Sequence, residues 1–289
     1  MTFNILINEI DIESIKNIPY FQSSVYHDLN ISATLEFFSK RYVAPINSFI
    51  NITNSTVVDC GAGHGWFSIA YILAGGKCAV AVDVDEKRLD TAFKIAKILD
   101  IDDKIKFLVA PIHAIPLSRD YADFFVSIET LEHVGKDQIQ GSLQRIKDIA
   151  SQGVLITTPN KYFPVIAHDS QLPFAHWLPK DARTQYSKLF GREKNNENND
   201  FLSPFDMNVL FDKFEPATSC LTFLNFSDFI HHYPFYLPYG ANDNQRWKQK
   251  PSVFKSGYYR LVSTIFGKKS HWVMPNMAHI FIRRYDNAL

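Results

Sequence analysis

Between residues 56 and 160 the chain alternates short apolar runs with longer amphipathic ones. Thr56 to Cys60, Lys77 to Val82, Ile105 to Val109, Ala122 to Ile128 and Gly153 to Thr157 have strand length and are apolar on both faces. The stretches between them have helical spacing. His64 to Ala74 reads as a helix stopped by Gly75-Gly76. In Asp85 to Leu99, residues Leu89, Ala92, Phe93, Ala96 and Leu99 fall on one face, and Ile139 to Ala150 reads as a further helix. Two later runs, Ala217 to Leu224 and Met277 to Tyr285, read as strands. Strands apolar on both faces and separated by helices predict an α/β fold. The expected form is a doubly wound, mostly parallel, seven-stranded Rossmann-like sheet with helical cap insertions.

The flanks have a looser pattern. Ser32 to Ile50 carries Leu35, Phe38, Tyr42 and Val43 at helical spacing, and Pro45 should bend or end that helix. Lys161 to Asp200 reads as an insertion with a helix around Ala182 to Phe190, and Ser203 to Phe214 as another helix. Glu193 to Asp200 is polar and Asn-rich, as in an exposed loop. The expected organisation is an N-terminal helical segment (1–50), a ligand-binding core (51–160), an insertion or cap (161–202) and a C-terminal part (203–289) with an aromatic-rich excursion over 225–275.

Composition narrows the classes. Hydrophobic residues make up 46% of the 289 positions, enough for a sizeable core. Lys plus Arg equal Asp plus Glu, 30 each, which argues against a dedicated nucleic-acid binder. Cys60, Cys78 and Cys220 have neither metal nor redox spacing. A reducing compartment, no secretory leader and no run long enough to span a bilayer predict a cytoplasmic protein.

The chemistry begins at Val57-Val58-Asp59-Cys60-Gly61-Ala62-Gly63-His64-Gly65. A strand running into closely spaced glycines and then a helix lets a ligand approach the main chain. The nicotinamide pattern needs a third glycine where Trp66 stands, and Trp66 does not suit it. Asp83 ends the second strand in Ala79-Val80-Ala81-Val82-Asp83-Val84-Asp85, where a carboxylate can accept from ribose hydroxyls. Turn and acid together resemble class I S-adenosylmethionine-dependent methyltransferases. That resemblance implies that Asp59, Gly61, Ala62 and Gly63 meet the methionine part of the cofactor. It also implies that Asp83 holds the ribose, Val84 flanks the adenine, and Glu129 adds to the site. After the third strand many members of the family carry an Asp for the adenine amino group. This chain has Pro111, leaving the backbone of Ile112 for that role. Trp66, Phe67 and His64 read as packing or wall residues.

After the fourth strand, Glu129-Thr130-Leu131-Glu132-His133 resembles the Glu-x-x-Glu-His segment of the subgroup containing ubiquinone-pathway O-methyltransferases. Thr158-Pro159-Asn160 after the fifth strand is similar to that subgroup too. A helical turn would put Glu129, Glu132 and His133 on one side. Two chemistries follow. His133 or His168 acts as general base toward an acceptor hydroxyl, or Glu129, Glu132, His133 and His168 bind a divalent metal such as magnesium. Small-RNA 2′-O-methyltransferases use a similar two-Glu, two-His arrangement with magnesium. The plain alternative is that Glu129 complements a helix dipole and the histidines satisfy backbone groups.

Beyond residue 223 aromatic residues crowd the chain, with His231-His232 among them. They read as a cap core, as the wall of a pocket for an apolar or aromatic acceptor, or, over Lys255 to Lys269, as a membrane-surface contact. The expected function is O-methylation of a small molecule. The alternatives are methylation of RNA or another macromolecule, and binding of the cofactor without catalysis.

Overall fold

The computed structural model describes residues 5, 7–24, 26–166, 170–192, 199–218, 226–227, 230, 250–267 and 272–284. Its centre is a seven-stranded sheet in the order β3-β2-β1-β4-β5-β7-β6. The strands are β1 Thr56–Cys60, β2 Cys78–Asp83, β3 Ile105–Val109, β4 Ala122–Ile128, β5 Ala150–Pro159, β6 Phe214–Thr218 and β7 Asn276–Arg283. The first five pair in parallel. β7 is antiparallel to both β5 and β6. The expected α/β, mostly parallel, seven-stranded fold is therefore the fold observed.

The two-faced apolar strands have a direct cause. Val57, Ala79, Ala81, Phe124, Val126 and Leu155 face one core. Their neighbours Val58, Cys60, Val80, Val82, Phe125, Val154 and Ile156 face the other. A period of two thus places every residue of a central strand against a helix layer. The first core is closed by α1 (Glu9–Lys16), α2 (Pro19–Gln22), α3 (Ile31–Phe38), α5 (Trp66–Leu73) and α6 (Glu86–Ile98). The second is closed largely by α7 (Ile139–Ile149) and by residues 204–210.

Local signals explain the element ends. Asp85 caps α6, accepting from the backbone N–H groups of Lys87 and Arg88 at 3.0 and 3.2 Å. Gly75 follows α5 in the left-handed region (φ +94°). Around Pro45 the helical path does not simply break. A π-helical stretch, Ser39–Val43, separates α3 from α4 (Ala44–Asn47), and Pro45 occupies the first turn of α4, where its missing N–H costs little.

Two expectations need correcting. Ser203 to Phe214 is not an α-helix. It holds a 3-10 segment, Pro204–Leu210, opened by a reciprocal cap between Ser203 and Asp206. Phe214 is fully buried and opens β6. β5 also starts earlier than its apolar run, because Ser151 and Gln152 sit in the strand despite their polarity.

The insertion after β5 contains the helix expected there, α8 (Lys180–Leu189), and the aromatic excursion contains α9 (Val253–Phe266). Val253, Phe254, Leu261 and Ile265 on α9 are exposed. No helix among the described residues is long and apolar enough to cross a membrane. His231, His232 and Cys220 lie outside the described residues.

Candidate cofactor and active site

At the carboxyl ends of β1, β2 and β4 lies a cavity of about 810 Å³. This is the switch point of the sheet, where the strand order reverses between β1 and β4 and helices diverge to opposite faces. Asp59, Gly61, Ala62, Gly63, Asp83, Val84, Ile112, Glu129, Glu132 and His133 all line it. Those residues come from four separate stretches of chain and are brought together by the parallel register.

The glycine turn is tied down from below. The N–H groups of Gly61 and Ala62 both donate to the carbonyl of Val82, at 2.8 and 3.0 Å. Gly61 and Gly63 have φ of +74° and +53°, where a side chain is strained. A Cβ on Gly61 would also lie 2.1 Å from Thr130 Oγ1. Gly61 is therefore dictated twice, by conformation and by the close approach of the loop after β4. Gly63 has open space above it, which leaves its face accessible.

Asp83 organises the neighbouring wall. One carboxylate oxygen accepts from Gly63 N–H at 2.7 Å and the other from Asp85 N–H at 2.9 Å. The carboxylate is fixed in place and each oxygen keeps further lone pairs for a ligand. Beyond it, Val84 is 68% exposed. A large apolar side chain so exposed beside a cavity is what a flat, apolar ring needs as a neighbour. Pro111 and Ile112 face the cavity from the far side.

Asp59 is buried and accepts from both the N–H and the hydroxyl of Ser68, at 3.2 and 2.7 Å. Burial, reinforced by the charge of Asp83, outweighs those bonds and raises its pKa from 3.8 to about 7. Its carboxyl stays protonated in the fold where the unfolded chain would ionise it. Stability contributed by Asp59 is therefore complete below about pH 4 and is lost as pH rises through about 7. In Asp59→Asn, which keeps an acceptor for Ser68, that slope should flatten. Melting temperatures from pH 4 to 8 check this; a variant as pH-dependent as the wild type would contradict it.

The segment after β4 differs from the helical turn expected. Glu129 has φ +48°, and only Leu131–His133 forms a 3-10 turn. Glu132 is turned inward, 2% exposed, and accepts from Thr158 Oγ1 at 3.0 Å. Burial and the neighbouring Glu129 push its pKa well above the ordinary carboxylate range. His133 is exposed on the cavity wall. All three still line one cavity, with Glu129 within hydrogen-bonding reach of Glu132. Among the described residues no three His, Cys, Asp or Glu group as metal ligands would. His168, the fourth expected ligand and second candidate base, lies outside the described residues.

Several contributions escaped the sequence reading. Tyr26 and Phe38 from the N-terminal segment line the cavity, as does Arg88 from α6. Thr130 Oγ1, which donates to the carbonyl of Ile128 at 2.9 Å, fills the space that Gly61 leaves. Asn160 is a buried clamp. Its side-chain amide donates to the carbonyls of Trp272 and Met274 at 3.0 and 2.8 Å, fastening the entry to β7. His176 Nε2 donates to the backbone carbonyl of Lys161 at 2.9 Å, away from the cavity, as a packing residue would.

Comparison with known proteins agrees with this geometry. Residues 57–153 match the family model described as a methyltransferase domain. No curated protein matches the sequence. Among solved structures, the chain is similar to magnesium protoporphyrin IX methyltransferase from Synechocystis PCC 6803 with bound SAH (TM-score 0.51, 13% identity, 95% of this chain and 93% of that one). It is also similar to geranyl diphosphate C-methyltransferase from Streptomyces coelicolor A3(2) (0.50, 11%, 98% and 91%). A third is an S-adenosylmethionine-dependent methyltransferase from Mesorhizobium loti (0.50, 13%, 83% and 96%). At such identities these likenesses speak for the fold. The match over residues 57–153 supports an enzyme that transfers methyl groups. Fold, family model and site together support an S-adenosylmethionine-dependent methyltransferase of class I.

Proposed function

We propose that this protein transfers the methyl group of S-adenosylmethionine to an oxygen of a small, partly apolar or aromatic molecule. The observation that carries the cofactor half is the cavity above the Gly61–Gly65 turn. Its clamped Asp83 suits ribose hydroxyls, its exposed Val84 suits adenine, and the turn suits the methionine chain. The structural neighbours include proteins described with SAH bound and with S-adenosyl-L-homocysteine bound.

The acceptor half rests on the wall after β4. Methyl transfer from a sulfonium is an in-line displacement with a good leaving group, so the protein mainly positions the acceptor and takes its proton. His133 is exposed to the cavity and is the described side chain best placed to take that proton. Glu132, buried, bonded to Thr158 and biased toward its protonated form, suits support of the loop better than metal ligation. No step is therefore routed through a metal, for which Glu129, Glu132, His133 and His168 would be the donors. The neutral charge balance favours a small molecule over RNA. The Glu-x-x-Glu-His segment keeps the ubiquinone-pathway O-methyltransferase subgroup as the nearest model for the acceptor class.

With an acceptor in hand, His133→Ala should lower kcat by about 10²-fold or more while leaving S-adenosylhomocysteine affinity within about twofold. Turnover should survive chelation. Activity abolished by EDTA and restored by magnesium would replace the base reading with the metal one. Unchanged kcat in His133→Ala would remove the base role.

A further inference from the structure

One side chain of the cofactor turn has a buried nitrogen with nothing to bond. His64 stands between Gly63 and Gly65, is 4% exposed, and lines the cavity. Its Nε2 is buried and makes no hydrogen bond. Burying such a group unsatisfied carries a free-energy penalty, so its presence beside a ligand cavity asks for a ligand.

The surroundings hold the ring in place. Tyr20 and Trp66 stack on it at 6.2 and 6.4 Å between centroids. Phe21 and Tyr26 meet it edge-on at 5.7 and 5.3 Å. Three of these four rings come from the N-terminal segment, which thereby closes over the turn. Burial lowers the pKa of His64 from 6.5 to about 4, with the charge of Arg88 acting the same way. At neutral pH the imidazole is uncharged and offers one N–H donor and one acceptor.

We propose that His64 is a cofactor-binding residue whose ring N–H donates to the carboxylate of the methionine moiety, held for that contact by Tyr20, Phe21 and Tyr26. The inference rests on the S-adenosylmethionine reading above. The choice of the carboxylate follows from the rest of the wall. Asp83 and Glu129 are acceptors suited to hydroxyls, an ammonium or the sulfonium charge, while Asp59 and Glu132 are buried and engaged with Ser68 and Thr158. A carboxylate needs donors instead. Arg88 is paired with Asp85 at 3.4 Å. His113 lies beyond β3, on the adenine side, and His133 lies after β4. Within the turn Gly61–Gly65 itself, His64 carries the one side chain with an N–H to donate.

The test compares two ligands that differ only at the amino-acid end. S-adenosylhomocysteine carries the carboxylate; 5′-methylthioadenosine keeps the adenosine and thioether without it. Calorimetry is run on the wild type, on His64→Phe, which preserves ring packing, and on His64→Gln, which restores a donor. His64→Phe should weaken S-adenosylhomocysteine about tenfold or more and leave 5′-methylthioadenosine within about twofold. His64→Gln should recover most of the loss. Equal weakening of both ligands in His64→Phe would show a packing role and overturn the inference, as would no change in either. A wild-type protein that binds neither ligand would instead defeat the cofactor reading on which the inference stands. Thermal melting confirms that each variant is folded, and if His64→Phe is not, an S-adenosylhomocysteine affinity in His64→Gln that falls together with 5′-methylthioadenosine overturns it equally.

Discussion

Asp83→Ala is expected to raise the dissociation constant of S-adenosylhomocysteine by roughly a hundredfold. A hydrogen bond to a charged group contributes about 1.5–3 kcal/mol, and a ribose offers two hydroxyls to this carboxylate. The same carboxylate also fixes the wall it belongs to, through Gly63 N–H on one oxygen and Asp85 N–H on the other. Its removal therefore costs both direct contacts and the shape of the turn. Asp83→Asn should fall between wild type and Asp83→Ala, because an amide retains one acceptor oxygen and loses the charge. Titration calorimetry of the three proteins checks the order. An Asp83→Ala protein that binds as tightly as the wild type would place the ribose elsewhere.

The second large effect is on folding. Gly61→Ala should destabilise the protein by about 3–5 kcal/mol, the sum expected from a left-handed φ and an overpacked contact. The added Cβ would lie 2.1 Å from Thr130 Oγ1, 2.4 Å from its Cγ2 and 2.7 Å from its Cβ. Because the obstruction is one side chain, Thr130→Gly in the same molecule should recover part of the loss, leaving the penalty of φ +74° in place. Urea unfolding of the two single variants and the double variant measures this coupling. Strict additivity would mean that the loop after β4 does not press on the turn.

The central sheet was readable because its physics is local and repetitive. Thr56 to Cys60, Ile105 to Val109 and Ala122 to Ile128 coincide with the observed β1, β3 and β4. In β1 and β4 apolar residues feed both helix layers, so the pattern has clean edges. β5 extends past its apolar run because Ser151 and Gln152, at the start of the strand, are only half-buried, and polar residues are tolerated there. Phe214 was assigned to a helix because apolar spacing around Leu210 and Phe211 suits one. Pro204, the cap between Ser203 and Asp206, and the pairing of Phe214 with Arg283 in β7 decided otherwise.

The site was legible where a residue type is forced by the backbone and opaque where it is forced by distant contacts. The glycines of the turn and the acid ending β2 follow from strand-turn-helix geometry, and both line the cavity. His64 read as a packing residue because its companions Tyr20, Phe21 and Tyr26 are some forty residues earlier in the chain. Glu132 read as a partner of Glu129 and His133 because helical spacing was assumed. The left-handed Glu129 and the bond to Thr158 instead hold Glu132 inward, beside Glu129, while His133 stays exposed. Asn160, read as part of a motif, works as a clamp on residues 272–274, a contact across 112 residues of sequence that no local pattern encodes.

The central claim is that the cavity above Gly61–Gly65 holds S-adenosylmethionine. Calorimetry of the purified chain against S-adenosylhomocysteine and against NAD tests it most directly. The account predicts saturable one-to-one binding of S-adenosylhomocysteine and no measurable binding of NAD. Tight binding of NAD, with none of S-adenosylhomocysteine, would contradict it.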